Sequence, residues 1–151
     1  MNPNYNQTIT IYNCFKAADN PDSTRDIWQK TVLVDCFYKN VVGQVYSGVV
    51  ESSSAGHGMK MSNAYTVRIP ESDRYRPYSE WVKLPEMERE KYFTCSVNDV
   101  VVKGECEEEI TGTSPNTASQ LLSKHKPEAF LVTAFSDNTS SSHAKHYRLG
   151  G

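Results

Sequence analysis

The chain has 151 residues, a mass of 17.0 kDa, a formal net charge of -2 and a sequence pI near 6.1. This length fits one domain, and the weakly acidic balance argues against a dedicated nucleic-acid binder, which would carry a marked excess of positive charge. The sequence has no apolar run of about 18 residues and no charged-then-apolar leader, so we expect neither a transmembrane helix nor a secretory signal.

The apolar residues favour strands. Val (14), Ile (5) and Tyr (9) stand against Leu (6) and Ala (8), and β-branched and aromatic side chains pack well on pleated sheets. Leu, Ile, Val and Phe together make up about one fifth of the chain, which is close to the lower limit for autonomous folding. We therefore expect a mainly β protein with a modest core and long polar loops, completed in part by partner molecules.

The first half of the chain alternates between strand patterns and polar connections. Residues 1–7 predict a loose N-terminal arm, and alternating apolar residues predict strands at 8–15, 26–38 and 64–70. Residues 39–63 carry four glycines and a serine run, and predict a long flexible loop in which residues 45–51 could add a short strand. In the second strand, the residues expected to share one face are Trp28, Val32, Val34, Cys36 and Tyr38.

The second half centres on a strand-turn-strand pattern in residues 92–110. Asn98 and Asp99 form a turn pair, a run of three valines follows as a strand, and Gly104 marks the end of that strand. Thr117 and Gln120 have the spacing of a helix capping box.

The remaining patterns complete the predicted fold. They predict a short helix at 85–91 and strands at 129–136 and 146–149. The whole of 1–151 is expected to be a single structural domain, a small β-barrel or sandwich of about six to eight strands with one or two short helices and long loops.

The cysteines and histidines do not predict a metal site or a cofactor. Cys14, Cys36, Cys95 and Cys106 lack any C-x-x-C spacing, and we expect free thiols in a reducing cytosol. Of His57, His125, His143 and His146, only the last two are close, and their odd spacing would place them on opposite faces of a strand, with no Cys or carboxylate nearby.

No catalytic motif is present in the sequence. A nucleophile elbow, a phosphate-binding glycine loop, a dinucleotide fingerprint and an H-E-x-x-H helix are all missing. We therefore predict no catalytic residues and no enzyme, although a triad built from dispersed residues stays open at this point.

Two groups of residues are candidates for contacts. Glu105, Glu107, Glu108 and Glu109 form an acidic cluster, which indicates either a solvated sheet edge or a surface that repels DNA so that DNA can slide past it. Tyr75, Tyr78 and Trp81 lie among cationic residues and could stack single-stranded bases, which is the basis of an alternative function as a small β-barrel nucleic-acid-binding module.

Three stretches carry a resemblance that spans most of the chain. They are TITIYN followed by Trp28 and Thr31-Val32-Leu33; Tyr78-Ser79-Glu80-Trp81 leading to residues 97–104; and the C-terminal stretch HYRLGG. In this order they resemble small structural proteins encoded in the head-to-tail gene region of tailed bacteriophages of Gram-positive bacteria. Where such proteins often have Gly-Asp in the turn and Trp after the late histidine, this chain has Asn98-Asp99 and Tyr147.

The resemblance implies a virion protein of the phage neck, similar to head-closure or head-to-tail connector subunits, with no catalytic residue to carry over. Such a subunit would assemble in the bacterial host cytoplasm into a homo-oligomeric ring, contact portal-side adaptor and tail proteins, and retain packaged double-stranded DNA without touching a membrane. A tail-completion or minor capsid protein is the close variant. Candidate inter-ring or DNA-facing residues are Ser52, Ser53, Ser54 and His57, the four glutamates of the acidic cluster, and the loop of residues 137–143.

Overall fold

The computed structural model describes residues 3–46 and 59–151, with side chains described at 3–41 and 64–151. The strands are β1 (Gln7–Phe15), β2 (Ile27–Tyr46), β3 (Met59–Pro70), β4 (Val100–Lys103), β5 (Ala129–Leu131), β6 (Ala134–Asp137) and β7 (His146–Gly150). Three short helices, α1 (Tyr78–Trp81), α2 (Glu86–Arg89) and α3 (Ala118–His125), and a 3-10 turn at Ala17–Asp19 complete the described elements. The expected mainly β fold class is confirmed.

The strands form one antiparallel sheet in the order β5-β4-β1-β2-β3-β7-β6, curled into a half-barrel. The outermost strands, β5 and β6, follow each other in the chain with only Val132 and Thr133 between them. Val132 N–H donates to Asp99 O at 2.8 Å, and Thr133 N–H donates to Gly150 O at 2.9 Å, so the junction is bonded to both ends of the sheet. One bent stretch of chain therefore brings the two edges together.

The core lies on both faces of the central strands. Ile9, Ile11, Val67, Val101 and Leu149 are fully or almost fully buried inside the curl. A second cluster, between the outer face of β1 and β4 and helix α3, contains Tyr12, Val100, Val102, Cys106, Ile110, Leu121 and Ala129. A strand covered on both faces is apolar on both, which is why simple alternation describes β3 well but β1 only in part.

The predicted common face of the second strand is wrong: Trp28 packs against the second cluster, whereas Cys36 and Tyr38 belong to the core inside the curl. Thr31 and Leu33 are buried, Val34 is 64% exposed, and Cys36 is buried again. Asp35 has a positive φ of 56°, and the pairing with β1 shifts register between Gln7 and Ile9. This bulge adds one residue to the strand and so shifts the alternation of its side chains. Leu33 and Cys36, three residues apart, therefore lie on the same face.

The predicted strand pair in residues 92–110 is half correct. Asn98 does form the turn, with φ of 81°, and Gly104 ends β4 with φ of 82°. However, β4 pairs with β1 and β5 and not with the preceding segment. That segment is held by a short parallel bridge between Tyr75 and Phe93 and by side chains. Asn13 Oδ1 accepts from Thr94 N–H at 3.1 Å, and Asp99 Oδ2 accepts from Ser96 N–H at 2.9 Å.

The expected long loop at 39–63 is corrected at both ends. Residues up to Tyr46 and from Met59 onward are paired strand, and residues 47–58 lie outside the described part. The expected arm at 1–7 is also shorter, because Gln7 opens β1 and the Tyr5 ring lies 6.4 Å from that of Phe37. The capping box at Thr117 and the strand ending at Pro70 are confirmed.

Candidate functional site

The acidic loop, residues 105–110, leaves β4 and runs across the outer face of β1. Thr10 anchors it: its hydroxyl donates to Gly104 O at 2.7 Å and accepts from Cys106 N–H at 2.8 Å. The Tyr12 hydroxyl donates to Glu108 O at 2.7 Å. The extended path points Cys106 and Ile110 inward and leaves Glu105, Glu107 and Glu109 exposed.

Glu108 differs from the other glutamates because it turns toward helix α3. Its Oε1 lies 3.0 Å from His125 Nε2 and 3.1 Å from Lys124 Nζ. The hydrogen bond from Lys124 lowers the pKa of the Glu108 carboxyl, and the bond from His125 lowers it further by a smaller amount. Cys106 Sγ lies 3.7 Å from the same His125 Nε2. A carboxylate, an imidazole, an ammonium group and a thiol therefore meet between the acidic loop and the end of α3.

Helix α3 fixes the position of His125. Thr117 Oγ1 accepts from Gln120 N–H and the Gln120 side chain accepts from Thr117 N–H, so the first turn has a complete capping box. Leu121 is buried beneath the helix, and Lys124 and His125 form its last turn, where positive charge is favourable.

The geometry around His125 is not that of a nucleophilic triad. In such a triad the nucleophile contacts one ring nitrogen and the carboxylate orients the ring through the other. Here the Cys106 thiol and the Glu108 carboxylate both face Nε2. The cluster therefore does not place the thiol on one ring nitrogen and the orienting carboxylate on the other, as a triad requires.

The acidic cluster does not act as one charged group. Lys30 Nζ lies 3.2 Å from Glu109 Oε1 and donates to Glu107 O at 3.0 Å. Within the described ranges, no ion pair reaches the carboxylates of Glu105 and Glu107, and both residues are exposed. The negative surface that remains is consequently centred on these two residues.

The three aromatic candidates lie within the packing of the fold. Trp81 is 1% exposed and its ring packs 5.7 Å from Phe15, so no base can stack on it in this conformation. Tyr75 packs 4.0 Å from Tyr147, centroid to centroid. The Tyr78 hydroxyl donates to Asp19 Oδ2 at 2.7 Å, and burial raises the pKa of Tyr78 to about 12.

The remaining candidates divide between described and undescribed residues. Ser52, Ser53, Ser54 and His57 lie outside the described ranges. The loop of residues 137–143 is described: it joins β6 to β7, and Asp137 Oδ1 accepts hydrogen bonds from both the N–H and the hydroxyl of Thr139. It is a short hydrogen-bonded turn on the surface.

A two-stranded ribbon extends past the sheet. β2 pairs with β1 only as far as Cys36, and β3 pairs with β7 only as far as Thr66, with backbone bonds from Tyr65 to Gly151. Beyond them, residues 41–46 and 59–64 pair with each other, and no third strand of the described chain joins them. We name these residues the β2–β3 ribbon. Six cross-strand pairs give it a length of about 20 Å.

Comparison with known proteins adds a family. A family model matches residues 4–151, almost the whole chain. The protein belongs to DUF6751, a family of unknown function. No curated protein matches this DUF6751 chain, and no solved structure does. Among the described residues of the DUF6751 protein, no helix is long and apolar enough to cross a membrane.

Sequence reasoning missed the convergence of Cys106, Glu108 and His125 in the DUF6751 protein. The histidine follows the other two by 19 and 17 residues, and only the packing of α3 against β4 and β5 brings it back to the acidic loop. One local signal existed: Cys106 and Glu108 are two apart on an extended segment and therefore point the same way.

Proposed function

We propose that this DUF6751 protein is a non-enzymatic structural subunit of the neck of a tailed phage particle, a head-closure or head-to-tail connector that forms a ring, retains packaged DNA and docks the tail. The observation that carries the proposal is the β2–β3 ribbon, which leaves the domain as a projecting contact element. The proposal also rests on the sequence resemblance to phage head-to-tail proteins.

The ribbon needs a neighbour for stability. A two-stranded hairpin without a third strand or a packed face is marginally stable in water. The outer edges of residues 41–46 and 59–64 present backbone N–H and C=O groups without a strand partner in the described chain. Such edges are templates for strand addition or for packing against another subunit. In a ring, each subunit would receive the ribbon of the next, a head-to-tail contact that closes by rotation.

The acidic loop supports the DNA-retaining part of the role. Glu105 and Glu107 are exposed and unpaired within the described residues, and negative charge repels the phosphate backbone. A ring lined by such residues would let DNA pass without adhering to the wall. Because Lys30 neutralises part of the same loop, we expect these two glutamates to face the lumen, ahead of Glu109.

The test is quantitative mass spectrometry of purified, DNA-filled particles from the phage or prophage that carries the gene. The expected result is the presence of this protein at about 6 to 12 copies per particle, counted against the portal protein as the internal standard. Hundreds of copies would place it in the shell or the tail tube and contradict a neck role. Absence from the particles would overturn the virion proposal altogether.

A further inference from the structure

Three potential metal ligands converge on one point beside helix α3. The Cys106 thiol, the Glu108 carboxylate and the His125 imidazole each offer one ligand atom, and these atoms all lie within 4.8 Å of one another. Thiolate, imidazole and carboxylate are the three side-chain ligands that Zn²⁺ takes in proteins. We propose that Cys106, Glu108 and His125 form a site for a single divalent cation that favours sulfur and nitrogen ligands, with Zn²⁺ as the best match.

The spacing of the ligand atoms fits tetrahedral coordination. With Zn–S near 2.3 Å and Zn–N near 2.0 to 2.1 Å, a tetrahedral ion sets its sulfur and nitrogen ligands about 3.6 Å apart and its nitrogen and oxygen ligands about 3.3 Å apart. The observed distances are 3.7 Å from Cys106 Sγ to His125 Nε2 and 3.0 Å from His125 Nε2 to Glu108 Oε1. Small rotations of the three side chains would bring the observed distances to the tetrahedral values.

The shared ring nitrogen of His125 supports the same conclusion. The sulfur and the carboxylate oxygen both lie near one ring nitrogen, and that nitrogen has one lone pair or one proton for both. A hydrogen bond satisfies one of these neighbours. A cation placed between the three atoms satisfies all of them together.

The ligands are held in place by groups that do not bind the ion. Thr10 fixes the Cys106 backbone, and the Tyr12 hydroxyl fixes the Glu108 carbonyl. These contacts hold the backbone of the two residues in place beside His125. The site is also open to solvent, because the His125 and Glu108 side chains are 27% and 32% exposed. Three protein ligands leave the fourth position to water or to a partner's group.

Lys124 competes for the same carboxylate. Its Nζ lies 3.1 Å from Glu108 Oε1, and the side chain is 65% exposed, so the ammonium can turn into solvent when an ion binds. Loss of this lysine would remove a positive charge from the neighbourhood of the ion. If the cluster had no metal function, removal of Lys124 would not increase Zn²⁺ affinity. Lys124 is therefore useful for the test.

The experiment is titration of the purified, untagged and chelator-treated protein with ZnCl₂ and, separately, CoCl₂. We expect one ion per chain by native mass spectrometry and by calorimetry, and with Co²⁺ the absorption of a thiolate-to-metal charge transfer. Cys106→Ser and His125→Asn should each weaken Zn²⁺ binding by about tenfold or more, and Cys106→Ser should abolish the charge-transfer band. Lys124→Ala should strengthen binding.

Matched variants separate the site from general effects. Cys14→Ser changes another buried thiol and His143→Asn another histidine, and both should bind Zn²⁺ as the native protein does. Circular dichroism establishes that each variant is folded. If Cys106→Ser does not fold, Lys124→Ala, at an exposed position, still tests the site. Absence of a bound ion in the native protein, or an ion that persists at equal affinity in His125→Asn, overturns the proposal. This test does not depend on the neck role.

Discussion

Asp99 Oδ1 accepts a hydrogen bond from the backbone N–H of Cys14 at 2.9 Å, across 85 residues of chain. Its Oδ2 accepts from the Asn13 side-chain amide and from Ser96 N–H, both at 2.9 Å, and the residue is 0% exposed. Asn13 also bonds Thr94 through its amide and carbonyl groups. This buried network joins the turn before β4 to the end of β1.

We expect Asp99→Asn to lower the free energy of unfolding at pH 7 by about 1 to 3 kcal/mol. The amide replaces one acceptor oxygen with a donor group that faces the N–H donors of Cys14, Asn13 or Ser96, and leaves a buried donor unsatisfied. Urea denaturation measures the loss. Asp73→Asn, on an exposed residue, is the control and should change stability by less than about 0.5 kcal/mol. Equal losses of stability at the two positions would show that the hydrogen bonds of Asp99 do not stabilise the fold.

The same carboxyl predicts a pH dependence. Burial raises the pKa of Asp99 from 3.8 to about 6, against the opposing effect of the hydrogen bonds that it accepts. The folded state therefore binds the proton more tightly than the unfolded state, so this group's contribution to stability falls as pH rises from about 4 to about 6, with a slope on the order of 1 kcal/mol per pH unit.

Comparison with Asp99→Asn isolates that contribution from the other titrating groups. The stability difference between the native protein and the variant should shrink between pH 4 and pH 6 and stay level above pH 7. Urea denaturation at half-unit pH intervals provides the curve. A difference that stays constant or grows with pH would show that Asp99 is not held with a raised pKa.

The buried thiols should resist alkylation in the folded protein. Burial raises the pKa of Cys14 and of Cys36 to about 12 and that of Cys95 well above its ordinary value, and only the thiolate reacts readily. With iodoacetamide at pH 8, peptide mass spectrometry should find these three unmodified in native protein and fully modified in urea. Rapid modification of Cys36 without denaturant would show that the half-barrel opens easily.

The proposed neck role predicts that shortening the β2–β3 ribbon impairs assembly and leaves the domain folded. Gly43 and Ser62 are cross-strand partners, so deleting residues 43–62 and joining Val42 to Asn63 with Asn-Gly keeps the register of the sheet. We expect the copy number in particles to fall at least about tenfold, because fewer cross-strand pairs remain for a neighbour to contact.

A second deletion defines which part of the hairpin matters. Removing residues 47–58 and joining Tyr46 to Met59 with the same turn retains the whole ribbon. Incorporation of this control with failure of the shorter variant would assign the contact to the ribbon strands. Normal incorporation of the shorter variant would refute the ribbon as an assembly element, and thermal unfolding by circular dichroism checks that both variants are folded.

Local patterns predicted the parts of this fold that local chemistry determines. The capping box at Thr117 and the alternation of Tyr65, Val67 and Ile69 depend on neighbours a few residues away, and both are confirmed. The bulge at Asp35 depends on a backbone conformation that side-chain alternation does not report, so the face of Val34 was wrong. The predicted partner of β4 was also wrong. Asp99, in the turn before β4, bonds to the backbone of Cys14 in β1, and β4 pairs with β1 and not with the segment that precedes the turn.

The candidate site shows the same division. The exposure of Glu105 and Glu107 follows from alternation on an extended segment. The approach of His125 to Cys106 depends on where α3 packs, and spacing in the sequence carries no record of that. The burial of Trp81 against Phe15 is likewise a contact between distant segments.

The short junction between β5 and β6 connects the two edges of the curled sheet through one continuous stretch of chain. Nine consecutive residues, from Ala129 to Asp137, supply the outermost strand at both ends, and the Phe130 ring stacks 4.6 Å from Tyr65 on the far side of the curl. Releasing this one stretch would strip β4 and β7 of a partner at the same moment. Amide hydrogens on those two strands should therefore exchange with solvent at a common rate, and a force applied to the stretch should open the domain in one step.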